Sequence, residues 1–95
     1  MSKRRAVEIA DRRWTVRWVT RLGKHEGDSR ADKAGDCDRD ARVIRVLHGL
    51  TQDEERRVLI HETLHAELWD LDEEAVDRIS ESIADVLRRC GHGPS

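Results

Sequence analysis

Residues 51–68 read Thr-Gln-Asp-Glu-Glu-Arg-Arg-Val-Leu-Ile-His-Glu-Thr-Leu-His-Ala-Glu-Leu, and this stretch organises the sequence around it. The spacing from Thr51 to Glu54 is that of a capping box, which opens a helix. Apolar side chains then recur at helical intervals from Val58 to Leu68. The pattern predicts a helix that begins after Thr51 and ends near residues 69–71.

A second helix is predicted directly after the first. Asp72 is a favourable N-cap, the acidic residues that follow it complement the helix dipole, and Gly91 is a typical C-terminal stop. The apolar stripe of this last helix consists of Val76, Ile79, Ile83, Val86 and Leu87.

Strands are predicted upstream of both helices. Residues 14–19 and Arg42–Leu47 are rich in β-branched or aromatic side chains, and residues 7–9 form a short partner strand or belong to a helix over residues 4–12. The polar segment 23–41 is predicted to be a long loop, and 92–95 a tail. The order predicts one α+β domain over residues 1–95, with about three strands in an antiparallel or mixed sheet packed on the two helices.

Composition limits the class of protein. The 95 residues carry 18 basic and 20 acidic side chains, only 37% of them are hydrophobic, and Phe and Tyr are absent, so the core is thin. No apolar run is long enough for a membrane span, and the start lacks the apolar stretch of a signal peptide. Cys37 and Cys90 are too few for a disulfide framework and are read as reduced thiols. A cytoplasmic protein without membrane contact is expected.

Charge is unevenly distributed along the chain. Residues 1–47 hold thirteen basic and eight acidic side chains, whereas residues 48–95 hold five and twelve. A basic half can contact nucleic acid, but no recognition motif accompanies it, so nucleic acid is not the expected partner. The basic half is left without a role, and the oligomeric state is left open.

The sequence His61-Glu62-Thr63-Leu64-His65 is an HExxH motif within the first helix. Positions i and i+4 lie on one helical face, so both imidazoles can reach the same metal ion. Glu62 lies beside them, where a carboxylate can take a proton from a metal-bound water. Two neutral imidazoles, a third protein ligand and an open position suit Zn²⁺.

The third ligand is expected to be a carboxylate near the start of the last helix, since no histidine follows His65 until the tail. At 100° per residue, Glu73 flanks the buried stripe and is the first choice, with Glu74 and Asp77 as alternatives. Glu74 points away from the stripe. Asp77 is one turn after Glu73 and is placed to hold the second nitrogen of a ligand histidine.

Residues 42–87 resemble the small gluzincin metallopeptidases, a group of zincins with HExxH on one helix and a glutamate on the next. The chain is also similar to short metallopeptidase-like proteins encoded by phages and prophages, including the stretch Gly35-Asp36-Cys37-Asp38, and more distantly to the ImmA/IrrE-type peptidases. The resemblance implies a minimal zincin-like domain. The resemblance implies zinc bound by His61, His65 and Glu73, with Glu62 as general base. It further implies a peptide or protein substrate extended along Arg42–Leu47 as the edge strand.

The expected function is a zinc-dependent metallohydrolase, a peptidase, in which Glu62 activates zinc-bound water. The alternative is a zinc-stabilised, non-catalytic binding or regulatory protein of phage or prophage origin. A peptidase also needs a donor for the oxyanion. Because Tyr is absent, that donor is His48 as first choice, or otherwise His25, His92, Arg78 or zinc alone.

Two further expectations concern the loop and the tryptophans. Cys37 is read either as a small buried anchor for the loop or as a switch thiol that becomes a fourth zinc ligand. Trp14, Trp18 and Trp69 are expected in the core, because a core without Phe and Tyr needs their area.

Overall fold

A computed structural model describes residues 3–22 and 34–92. Six elements follow one another: β1 (Arg4–Ile9), β2 (Arg12–Val19), β3 (Gly35–Asp38), β4 (Val43–Leu47), α1 (Gln52–Glu67) and α2 (Glu73–Arg89). The strands form one mixed sheet in the order β1-β2-β4-β3. The predicted α+β class is confirmed, but the described residues contain four strands instead of about three.

The first two strands form a tight antiparallel hairpin. Ala10 and Asp11 connect them with φ values of 52° and 62°. Positive φ at both central residues defines a type I′ turn, whose twist matches that of the paired strands. The alternative of a helix over residues 4–12 is therefore wrong.

Strand β3 lies inside the segment that was predicted to be a loop. That prediction is wrong for Gly35–Asp38, while residues 23–33 lie outside the described part of the chain. Gly35 permits the strand to lie very close to its neighbours. A Cβ atom there would overlap Val58 Cγ1 and lie 2.8 Å from the carbonyl oxygen of Arg45, so any side chain would push β3 away from α1 and β4.

Strand β4 is an interior strand, and the expectation that Arg42–Leu47 forms an edge is wrong. It pairs with β2 in parallel and with β3 in antiparallel register. Arg45 is a charged residue on this interior strand, and its charge is accommodated by a partner on the neighbouring strand. Its guanidinium donates a 3.0 Å hydrogen bond to Asp36 Oδ1 on β3, so its charge is balanced within the sheet.

The core lies between one face of the sheet and α1. Trp18 is buried there and its Nε1 donates a 2.9 Å hydrogen bond to Glu55 Oε2. Trp14 is also buried, as expected, but Trp69 is 42% exposed because it lies in the turn after α1. The buried core residues are Ile9, Trp14, Val16, Trp18, Ile44 and Val46.

Both predicted helices are present. The predicted capping box is present at the N-terminus of α1. Glu54 N donates to Thr51 Oγ1 at 3.1 Å, and Thr51 N donates to Glu54 Oε1 at 3.0 Å. Helix α2 is capped by Asp72 and packs on α1, and it touches no strand within the described ranges. Neither helix there has the length and apolarity required to cross a bilayer. Among the described elements, only the packing on α1 therefore fixes where α2 lies relative to the sheet.

Candidate metal centre

Helix α1 brings its two motif histidines together. His61 and His65 are one turn apart, and their Nε2 atoms are separated by 3.1 Å, with the rings arranged edge to face. Both side chains are half-buried against α2. The helical spacing of the motif thus produces a pair of imidazole nitrogens directed at one point.

Glu73, the first residue of α2, supplies the third potential ligand. Its Oε2 lies 2.9 Å from His65 Nε2, and its Oε1 lies 3.4 Å from His61 Nε2. For metal–ligand bonds of 2.0–2.2 Å, neighbouring ligand atoms of a tetrahedral site are separated by about 3.3–3.6 Å. The two contacts are made by different oxygens of Glu73, and with one atom taken from each residue the three donors lie within 4.8 Å of one another, so small side-chain movements would bring them to one metal ion.

The other carboxylates proposed for this position lie elsewhere. Among the described residues, His61, His65 and Glu73 are the group of metal-ligating side chains whose donor atoms converge, all within 4.8 Å of one another. Glu74 is exposed on the next position of α2. Asp77 lies near the group, but it contacts His61 at Nδ1 and not at Nε2, the nitrogen that faces the other two donors.

Asp77 orients His61. Its Oδ1 lies 3.1 Å from His61 Nδ1, the ring nitrogen opposite to the one that faces Glu73. A carboxylate at Nδ1 favours the tautomer in which that nitrogen carries the proton and donates it, leaving the Nε2 lone pair for a metal. The arrangement is a carboxylate–histidine pair of the kind that supports metal ligands.

Glu62 lies beneath β3, the strand at one edge of the sheet. It is 7% exposed, and a methyl group on Gly35 would lie 3.5 Å from its Cγ. The helix turns by 100° between His61 and Glu62, so the histidine faces α2 while the glutamate faces β3. The Glu62 side chain is thus buried between α1 and the sheet.

Among the described candidates for the oxyanion donor, neither His48 nor His92 is on the helices that carry the converging group. His48 is exposed and lies four residues before α1, whose first residue, Gln52, is about 14 Å along the helix axis from His61. His92 lies three residues beyond Arg89, the last residue of α2, which is about 24 Å along the helix axis from Glu73. Arg78 is exposed on α2, and His25 lies outside the described residues.

Cys37 is half-buried on β3, facing α1, and is not a member of the converging group. Burial, and after it the negative charges of Glu62 and Asp36, raise the pKa of its thiol to about 12. A protonated thiol is a poor metal ligand and a poor nucleophile. The structure thus favours the interpretation of Cys37 as an anchor of the strand.

The reactivity of the two cysteines provides a first prediction. At pH 8 a thiol of pKa about 12 is ionised in about one molecule in 10⁴, so Cys37 should be alkylated at least about 100-fold more slowly than the exposed Cys90. Mass spectrometry of peptides after timed iodoacetamide treatment measures both rates. In urea the two rates should converge, and equal rates in the folded protein would contradict the assignment.

Comparisons with known proteins identify no relative: no family model, curated protein or solved structure matches the chain. The site must therefore be interpreted from its own geometry. The feature that sequence reasoning missed is β3, whose Gly35 positions the strand over Glu62. The signal for it was the Gly35-Asp36-Cys37-Asp38 stretch itself, which has too few strand-forming side chains to be recognised by periodicity.

Proposed function

We propose that this protein is a zinc-dependent metallohydrolase that cleaves peptides. The observation that carries the proposal is the convergence of His61, His65 and Glu73, each of which offers one ligand atom within 4.8 Å of those of the other two. Two imidazoles and one carboxylate are the donor set of catalytic zinc sites with an open fourth position. Three protein ligands that leave a fourth position open favour a catalytic site over a closed structural one.

Glu62 and Asp77 have different roles in the proposed reaction. A bound zinc ion would polarise a substrate carbonyl and acidify a water molecule. The Glu62 carboxylate would act as the acceptor of a proton from water and then as the donor of that proton to the leaving amine. Asp77 keeps the proton of His61 on Nδ1, so that Nε2 stays available.

The edge of the sheet suits a peptide substrate. One side of β3 pairs with β4, and no strand within residues 3–22 and 34–92 pairs with its other side. An extended peptide can add to such an edge through main-chain hydrogen bonds. Because Glu62 packs against Gly35 of β3, a peptide paired with this edge would lie about one strand spacing from the glutamate, so we assign the substrate to β3 and not to the interior segment Arg42–Leu47.

The proposal is tested by zinc content and peptide cleavage measured on the same preparations. We expect about one zinc per chain, cleavage of a peptide library that stops on chelation, and recovery when zinc is returned. His65→Ala should lose both zinc and cleavage, whereas the matched control His92→Ala should keep both. A preparation that binds no zinc, or one whose cleavage survives chelation, refutes the proposal.

A second candidate is a zinc-stabilised protein without turnover. It is favoured by the packing of α2, which touches only α1 in the described chain and buries only Val76 and Ser80. A metal bound by both helices would hold α2 in place. This function predicts zinc at one equivalent per chain and no zinc-dependent cleavage of any peptide in the library.

A further inference from the structure

Helix α1 packs on one face of the sheet, and the opposite face carries arginines. Trp14 and Trp18 of β2 are buried toward α1, so Arg17, whose position alternates with theirs, points the other way. We define the outer face as the surface of the sheet that carries Arg17. Among the described elements, neither helix lies over it, because α1 packs on the tryptophan side and α2 touches no strand.

The pairing of the strands sets three arginines side by side on the outer face. Arg17 is opposite Arg4 of β1 and, on its other side, opposite Arg45 of β4. Neighbouring strands are about 4.8 Å apart, and like charges in directly opposite positions repel. The row ends at Asp36 of β3, whose carboxylate accepts a hydrogen bond from Arg45. The charge of Arg45 is therefore balanced inside the sheet.

The charges at the other end of the row are not balanced by the described chain. Within residues 3–22 and 34–92, no carboxylate forms an ion pair with Arg4 or Arg17. The Nε atom of Arg17 is buried and has no hydrogen-bond partner there. Two adjacent cations, one of them with an unsatisfied donor, destabilise the sheet. An anion bound to both guanidinium groups would remove this repulsion.

Positive charge extends from this pair over the whole β1–β2 hairpin. Residues 3–22 carry seven basic and two acidic side chains, whereas residues 34–92 carry eight basic and fifteen acidic ones. Strand β1 is exposed at every position from Arg4 to Glu8. A local excess of positive charge attracts polyanions and orients them as they approach. The hairpin is therefore the part of the described chain that a polyanion would meet first.

The composition of the outer face favours nucleic acid over an acidic protein as the polyanion. Strands β1 and β2 place three residue pairs on this face, and only one of the six side chains is apolar: Arg4 with Arg17, Ala6 with Thr15, and Glu8 with Arg13. Protein–protein interfaces have an apolar core, whereas interfaces with nucleic acid are more polar and more positively charged. Arginine also matches a phosphate group with two parallel hydrogen bonds.

The outer face has no side chain on which a base can stack. Of the three tryptophans, which are the only Phe, Tyr or Trp side chains of the sequence, Trp14 and Trp18 are buried toward α1 and Trp69 follows α1. Proteins that bind single strands rely on such stacking, whereas contacts to phosphates carry no sequence information and need no recognition motif. Duplex DNA also has a high density of phosphate charge. The face therefore fits a duplex better than a single strand.

We propose that the outer face of the β1–β2 hairpin binds the phosphate backbone of double-stranded nucleic acid without sequence preference, with Arg4 and Arg17 at the centre of the contact. The metal-ligating histidines lie on α1, which is on the other side of the sheet. Binding of nucleic acid therefore does not depend on the metal centre, and either function can fail without the other.

The first test measures the fluorescence anisotropy of a labelled DNA duplex titrated with the full-length protein at several salt concentrations. Neutralisation of two to three phosphates should give a slope of about −2 to −3 for the logarithm of the association constant against the logarithm of the salt concentration. Arg17→Gln and Arg4→Gln should each weaken binding at least about 5-fold at low salt and make the slope shallower by about 1. Neither change should unfold the chain, because each removes one of two repelling charges.

The matched control is Arg89→Gln, which removes the same charge from the exposed end of α2. Its affinity for the duplex should equal that of wild type, and far-ultraviolet circular dichroism verifies the fold of all variants. An effect of Arg89→Gln as large as that of Arg17→Gln would show that only net charge matters. That result, or the absence of binding at low salt, overturns the proposal.

Competition with unlabelled polyanions identifies the partner. A duplex of unrelated sequence should displace the labelled one equally well. Single-stranded DNA of the same length and polyglutamate of the same total charge should each compete at least about 10-fold more weakly, because their charge density is lower. Equal competition by polyglutamate would assign the face to an acidic protein, and stronger competition by single-stranded DNA would exclude the duplex. Either result overturns the proposal.

Discussion

Replacing Glu62 with glutamine is expected to lower the rate of peptide cleavage by about 10²- to 10⁴-fold while zinc remains bound at one equivalent. Glutamine has nearly the same shape as glutamate, but its amide cannot accept a proton from water. Glu62 lies outside the converging group of His61, His65 and Glu73, so its charge is not needed to hold the metal. The expected result is thus a loss of turnover without a loss of zinc.

The measurement compares zinc content and cleavage rate for wild type, Glu62→Gln and Glu67→Gln. Glu67 is an exposed glutamate at the end of the same helix, so its replacement removes the same charge without touching the site. It should behave as wild type. Equal cleavage by wild type and Glu62→Gln would remove Glu62 from the mechanism, and zinc binding with no cleavage by any of the three proteins would favour the non-catalytic function.

The helical part of the fold could be predicted because its signals are local. The capping box of Thr51 and Glu54, the N-cap at Asp72 and the apolar periodicity all depend on residues within a few positions of one another. The choice of Glu73 over Glu74 followed from the same regularity, since 100° separates consecutive side chains on a helix. The structure places Glu73 beside both histidines and leaves Glu74 exposed.

The order of the strands could not be predicted, because it depends on contacts between distant residues. Strand β3 is held by its pairing with β4 and by the packing of Gly35 on Val58, and nothing in its own composition favours a strand. Because β3 pairs with the free side of β4, β4 is an interior strand and β3 forms that edge of the sheet. Trp69 shows the same dependence on distant residues. A large apolar side chain predicts burial, but Trp69 follows the end of α1 and is partly exposed. Its ring lies beside Arg39, whose guanidinium is 5.1 Å from the ring centroid.

Zinc is expected to raise the melting temperature by about 10–30 °C at a concentration 1,000-fold above its dissociation constant. Binding to the native state alone at that ratio contributes about 4 kcal/mol, and each kcal/mol shifts the melting temperature of a domain of this size by about 4–8 °C. Binding of zinc to histidines and cysteines of the unfolded chain reduces the shift, which is why the range extends downward. The size of this shift depends only on the ratio of the zinc concentration to the dissociation constant and on the entropy of unfolding.

The neighbouring glutamates of α2 provide the control for this shift. Glu73→Ala should remove most of the stabilisation by zinc, because it takes away one of three ligands, whereas Glu74→Ala loses a similar charge from the first turn of the helix and should keep it. Asp77→Ala should weaken zinc binding by about 10- to 100-fold and give an intermediate shift, because His61 loses the carboxylate that orients its ring. Differential scanning calorimetry with and without zinc measures all four proteins. Equal shifts for Glu73→Ala and Glu74→Ala would show that zinc is bound elsewhere, since the two residues differ chiefly in the direction in which α2 presents them.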